Sequence, residues 1–110
     1  MANNFKRKTS RGIGTVATTI GSYTPAANTQ VTVIGLSAAN ITTSPISVTF
    51  SHHNGADVTT IVKDATIPAG GALVVVGGDQ KMVLEPGDII SVTSSAASSV
   101  DAIMSILEIT

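Results

Sequence analysis

From Gly12 to the end, the chain is built of short runs rich in Thr, Val, Ile and Ser, separated by turn residues roughly every eight to twelve positions. No stretch keeps the three-to-four residue apolar spacing of a helix, so the pattern predicts strands throughout. The candidate runs are GTVATTI near residue 14, TQVTVIGLSA near 29, ISVTFSH near 46, DVTTIVK near 57, ALVVV near 72, QKMVL near 80, DIISVTS near 88 and SVDAIMSILEI near 99. With 110 residues there is room for one core only. The expected fold is all-β: a single-domain antiparallel β-sandwich or jelly roll of about eight strands.

Two runs say which faces are buried. In ISVTFSH, Ile46, Val48, Phe50 and His52 share one face, while Ser47, Thr49, Ser51 and His53 share the other. One face is therefore expected to meet the core and the other solvent. The closing run is apolar on both parities, with Val100, Ala102, Met104 and Ile106 against Ile103, Leu107 and Ile109. Such a strand is either central or covered on its outer face by another subunit. Val100, Ile103, Met104, Ile106, Leu107 and Ile109 are accordingly the expected oligomer interface.

The glycine-rich stretch IPAGGALVVVGGDQKMVLEPGD poses a choice between a phosphate loop and turns between strands. Asp79 and Gln80 follow Gly78 where a phosphate loop carries a cation and a hydroxyl, and no helix start follows Lys81. The glycines therefore read as turns, with Gly77 and Gly78 at a hairpin tip between ALVVV and QKMVL. Asn54-Gly55 predicts a type I′ hairpin between the third and fourth runs. Glu85-Pro86-Gly87-Asp88 predicts a type II turn. Pro68 marks an edge or crossing, and SSAASS at 94–99 a small polar loop or hairpin tip.

Charge is sparse and uneven. Charged residues make up 12% of the chain, about half the usual share, while 43% is hydrophobic and only 3% aromatic. A surface so poor in charge repels copies of itself weakly, which hints at burial by partners. Lys6, Arg7, Lys8 and Arg11 gather at the start, whereas the remainder carries Lys63 and Lys81 against seven carboxylates. Residues 1–11 are therefore expected to be a basic arm and 12–110 the sandwich domain. Phe5, Lys6, Arg7, Lys8 and Arg11 are its candidate partner-binding residues. FKRK is not followed by an apolar signal core, and no apolar run approaches a membrane span, so a soluble protein with no membrane partner is expected.

Catalytic and ligand-binding chemistry finds little support. There is no cysteine, hence no disulfide framework and no thiolate metal site. His52 and His53 are strand neighbours facing opposite ways, and Asp57 with His53 lacks a third ligand, so no metal is expected. No serine lies on a nucleophile elbow, and Asp79, Glu85 and Asp88 sit in turns where exposed acids are ordinary. No enzyme activity and no cofactor are expected. Three aromatics, Phe5, Tyr23 and Phe50, are too few for a base-stacking platform, so nucleic acid is not an expected partner. A sugar site would have only Tyr23 as its platform. Asn40-Ile41-Thr42 matches a glycosylation sequon but reads as a polar loop.

Taken in order, FKRKTSRGIGT, VIGLSAANIT, IPAGGALVVV, VLEPGDIISVTSSAASSVD and IMSILEIT resemble small β-sandwich virion proteins of tailed bacteriophages. The resemblance runs over nearly the whole chain from Phe5. It implies a non-enzymatic structural role as head decoration or cement, neck or collar part, or tail component. It also implies many copies in a symmetric virion made in the host cytoplasm, docked on the major capsid protein or another virion protein; the sparse charge and the two-faced closing run lead to the expectation of a symmetric homo-oligomer, a trimer or higher ring ahead of a dimer. A carbohydrate-binding module of a fibre or spike is the alternative from a different class.

Overall fold

The computed structural model of the chain describes residues 3–77 and 81–110. Among the described residues there are nine strands: β1 (Asn3–Ile13), β2 (Thr18–Thr19), β3 (Gln30–Asn40), β4 (Ile46–Asn54), β5 (Asp57–Ile67), β6 (Ala72–Val76), β7 (Met82–Leu84), β8 (Ile89–Ser94) and β9 (Val100–Ile109). A single 3₁₀ turn, Ile20–Ser22, follows β2. One sheet has the order β1-β9-β3-β6, with β7 also on β3, and the other has the order β2-β8-β4-β5. All pairs are antiparallel. The chain changes sheet at every connection except β4–β5 and β6–β7, so the two layers are interwoven as in a jelly roll.

The β6 and β7 runs are not a hairpin. Both lie antiparallel on the same side of β3, Val76 opposite Leu36 and Ala72 opposite Ala39, then Met82 opposite Val33 and Leu84 opposite Val31. They lie one after the other along one edge of β3; the expected eight strands counted these two runs separately and did not include β1. A hairpin would have needed ALVVV and QKMVL to pair with each other; β3 offers an apolar edge long enough to take both. Gly77 has no positive φ, and Gly78 lies outside the described residues.

The N-terminal boundary also differs from the sequence expectation. Residues expected to form a detached arm are β1, paired with β9 without a break from Asn3 opposite Ile109 to Ser10 opposite Ala102. Alternation cannot reveal this strand, because its residues are exposed on both faces or half-buried up to Ile13. Lysine and arginine on an edge strand discourage a further strand from adding to it, which gives the basic run a role within the fold.

Inner faces follow the predicted alternation. Ile46, Val48 and Phe50 of β4 and Ile90 and Val92 of β8 meet Val31, Val33, Leu36, Met104 and Ile106 of the other sheet in the buried core. Turns are mostly as expected. Gly87, with φ 89°, and the Asp88 N–H donated to Glu85 O complete the type II turn. The β4–β5 hairpin exists, but Asn54 pairs with Asp57, so its central residues are Gly55 and Ala56. Only Gly55 has positive φ there, the signature of type II′ rather than I′. The 94–99 segment crosses between sheets instead of closing a hairpin, held by Ser99 donating to Ala96 O.

Candidate assembly interface

The two outer faces differ in chemistry. On the β2-β8-β4-β5 sheet, the outward positions of β4 are Ser47, Thr49, Ser51 and His53, facing Ile89, Ser91 and Thr93 of β8 and Val58, Thr60 and Thr66 of β5. Hydroxyls dominate this side.

On the other sheet, the strand registers place Phe5, Leu107, Thr32 and Val83 in one row across the outer face. A second row holds Thr9, Ile103, Ser37 and Val74. Among the described residues, seven large hydrophobic side chains are exposed, and four of them stand here: Phe5 at 74%, Val74 at 68%, Val83 at 63% and Ile103 at 45%. Isolated exposed apolar residues are ordinary, whereas a grouping on one face of one sheet, on β1, β9, β6 and β7 with Thr32 and Ser37 of β3 between them, is the mark of an interaction surface.

This surface divides the expected interface residues. Val100, Met104 and Ile106 point inward and are no more than 1% exposed, so they belong to the chain's own core and cannot touch a partner. Ile103, Leu107 and Ile109 take the opposite parity and lie on the outer face. Sequence reading treated both parities as available because it could not say which side of β9 met the second sheet. It missed Val74 and Val83, whose short runs give too few residues to assign a face.

The expected partner-binding residues are divided in the same way. Phe5 and Arg7 share the outer parity of β1, opposite Leu107 and Ser105. Lys6 and Lys8 take the inner parity and engage their own chain. Lys6 Nζ is 2.9 Å from Glu108 Oε1, and Lys8 Nζ stands 4.9 Å from the centroid of the Tyr23 ring. The Tyr23 hydroxyl donates to Glu108 Oε2. That hydrogen bond and the nearby Lys6 hold the Glu108 carboxyl below its usual range, while burial and the carboxylate push the Tyr23 hydroxyl up. Glu108 had a sequence signal: it is the one charged residue on the inner parity of β9, and such a position calls for a cation and a donor.

Tyr23 is itself buried, which removes the expected platform for a sugar. Nor do the histidines form a catalytic set. His52 contacts Asp88 at 3.0 Å on the inner side, and His53 contacts Ser91 at 2.8 Å on the outer side, so the histidine–carboxylate pair and the histidine–serine pair lie on opposite faces of β4 and do not join into one triad. Among the described residues, no three His, Cys, Asp or Glu side chains gather into a metal-binding group. Asn40 of the sequon is buried, and its amide donates to Ser44 O, Ile67 O and Pro68 O, fastening the loops at one end of the sandwich.

No family model matches the chain, and no curated protein matches it in sequence. Its fold is found in assembling proteins. A protein from Bacillus endospore appendages, described as a family of disulfide-linked pili, matches with TM-score 0.55 over 99% of this chain and 87% of its own, at 14% identity. A protein in the structure of infectious bursal disease virus, Gx strain, matches with TM-score 0.52 over 96% of this chain, at 10% identity. This chain spans 28% of that viral protein's length. At these identities the likeness shows the fold alone. Disulfide linkage cannot apply here, since there is no cysteine.

Proposed function

We propose that this chain is a non-enzymatic structural subunit of a tailed-phage virion, a capsid decoration or cement protein that assembles in many copies and stabilises the particle. The observation that carries the reading is the contrast between outer faces: one sheet presents hydroxyls, the other an apolar surface with few charges. A subunit that must be both soluble before assembly and buried after it needs such a division. The jelly-roll topology, its occurrence in pilus and virus proteins, and the sequence resemblance to phage virion proteins all support this reading. Self-association into a symmetric homo-oligomer belongs to it.

Quantitative mass spectrometry of purified particles, with a density map of the same particles, tests it. A copy number that scales with the capsid lattice is expected. A few copies fixed by the single portal axis would assign the chain to neck or tail instead, and absence from washed particles would overturn the reading.

A further inference from the structure

We propose that the outer face of the β1-β9-β3-β6/β7 sheet packs against the same face of a second copy of this chain. The inference rests on the structural-subunit reading and names the partner of its apolar surface. Three independent features lead to it.

The first is that every sheet edge is blunted. A pair of antiparallel β1 strands would bring Lys6, Arg7 and Lys8 against the same residues of the other copy, and like charges opposite one another destabilise a pair. Strand β5 carries two register shifts against β4, between Val48 and Phe50 and between Phe50 and Ser51. Strand β2 has two residues, β6 has five and β7 has three, and edge strands this short offer little to pair with. Copies are thereby hindered from joining through continuous sheets, which leaves a face.

The second is that projections and hollows occur together on this one surface. Phe5, Val74 and Val83 stand out from it. At the end of the face away from Phe5 and Val83, a hollow of about 380 Å³ opens between Thr9, Arg11 and Ile103, and its floor includes the small residues Ser37, Ala39 and Ala72. Another, of about 350 Å³, opens beside Phe5, Arg7 and Ser105. A surface that meets itself across a two-fold axis must carry both halves of its own complement.

Area and charge give the third. Four strands of about nine residues cover roughly 19 Å by 30 Å, or about 600 Å² in projection. The whole face is thus of the same order as the roughly 800 Å² per partner of a stable interface. Within the strands, the charges on this face are Arg7, Arg11 and Asp101, so the two copies bring opposite signs as well as like ones.

Single-cysteine variants test the pairing directly, because the native chain has no cysteine. Ile103→Cys, Ser105→Cys and Val74→Cys would each be treated with a short bis-maleimide, beside Val58→Cys and Thr60→Cys on the other sheet, with native mass measured on the untreated protein. The expected result is covalent dimer from at least one of the first three and none from the last two, and a native mass that is an even multiple of the protomer. An odd-numbered oligomer that cross-links through Val58 or Thr60 would overturn the face pairing while leaving a self-assembling structural subunit. A monomer that occupies particles would also overturn it, because the capsid surface would then be the partner of this face. Absence from particles is the separate result that sinks the functional reading.

Discussion

Lys6 Nζ sits 2.9 Å from Glu108 Oε1, joining the first strand of the sandwich to the last through a carboxylate that also accepts the Tyr23 hydroxyl. The contact turns a basic segment into part of the fold. It also makes Glu108, which faces the core beside Ile106, tolerable there: both of its oxygens have donors.

Removing either side of this arrangement should cost unequal amounts. Glu108→Ala leaves a buried tyrosine hydroxyl without its acceptor and should lower stability by about 2–3 kcal/mol. Tyr23→Phe leaves Glu108 one partner in Lys6 and should cost about 1–2 kcal/mol. Lys6→Ala, at a half-exposed position, should cost less than either. Urea denaturation of the three variants gives the order; equal losses would mean that the carboxylate is not shared as described.

Acid should loosen the same contact. The native environment depresses the Glu108 pKa, so its stabilisation is complete above the unfolded value of about 4.3 and disappears as pH falls through the lower native value. The melting temperature of the native protein should therefore fall more steeply below about pH 4 than that of Glu108→Gln, which has no carboxylate to titrate. Parallel profiles would place the acid sensitivity elsewhere.

Deleting residues 1–11 should damage the sandwich, not merely its docking. The deletion strips the ladder partner from β9, leaves Glu108 with Tyr23 but without Lys6, and uncovers the edge of the core beside Met104 and Ile106. A loss of about 3 kcal/mol or more is expected, or roughly 10–20 °C in melting temperature for a domain of this size. A truncated protein that melts with the native one would restore the detached-arm boundary.

Glycine replacements separate strain from collision. Gly21 and Gly55 both have φ near +60°, but a Cβ at Gly21 would lie 2.7 Å from Lys8 Cβ, while one at Gly55 meets nothing within 4 Å. Gly55→Ala should cost about 1 kcal/mol through backbone strain alone. Gly21→Ala should cost clearly more, because β1 must shift away from the 3₁₀ turn. Thermal melts of the two variants decide the ranking.

Much of the fold was legible because strands buried on one side write alternation into the sequence, as Ile46, Val48 and Phe50 do. Strand β1 left no such record: Lys6 and Lys8 face inward only at the rim, where they find Glu108 and Tyr23. The β6–β7 relationship was hidden for another reason. Two apolar runs beside glycines look like a hairpin locally, and only the length of β3 shows that both can share its edge. The candidate surface was half visible, since the parity of Ile103, Leu107 and Ile109 was plain while the side facing the core was not.

Sedimentation velocity over a dilution series, on the native chain and on Val74→Asp with Ile103→Asp, shows whether the outer face of the β1-β9-β3-β6/β7 sheet holds copies together. Both positions are exposed, so the variant should keep its fold, checked by circular dichroism and melting temperature. The native protein should sediment as an assembly at micromolar concentration and the folded variant as the protomer. A variant that assembles as the native chain does would remove the outer face of this sheet from the interface.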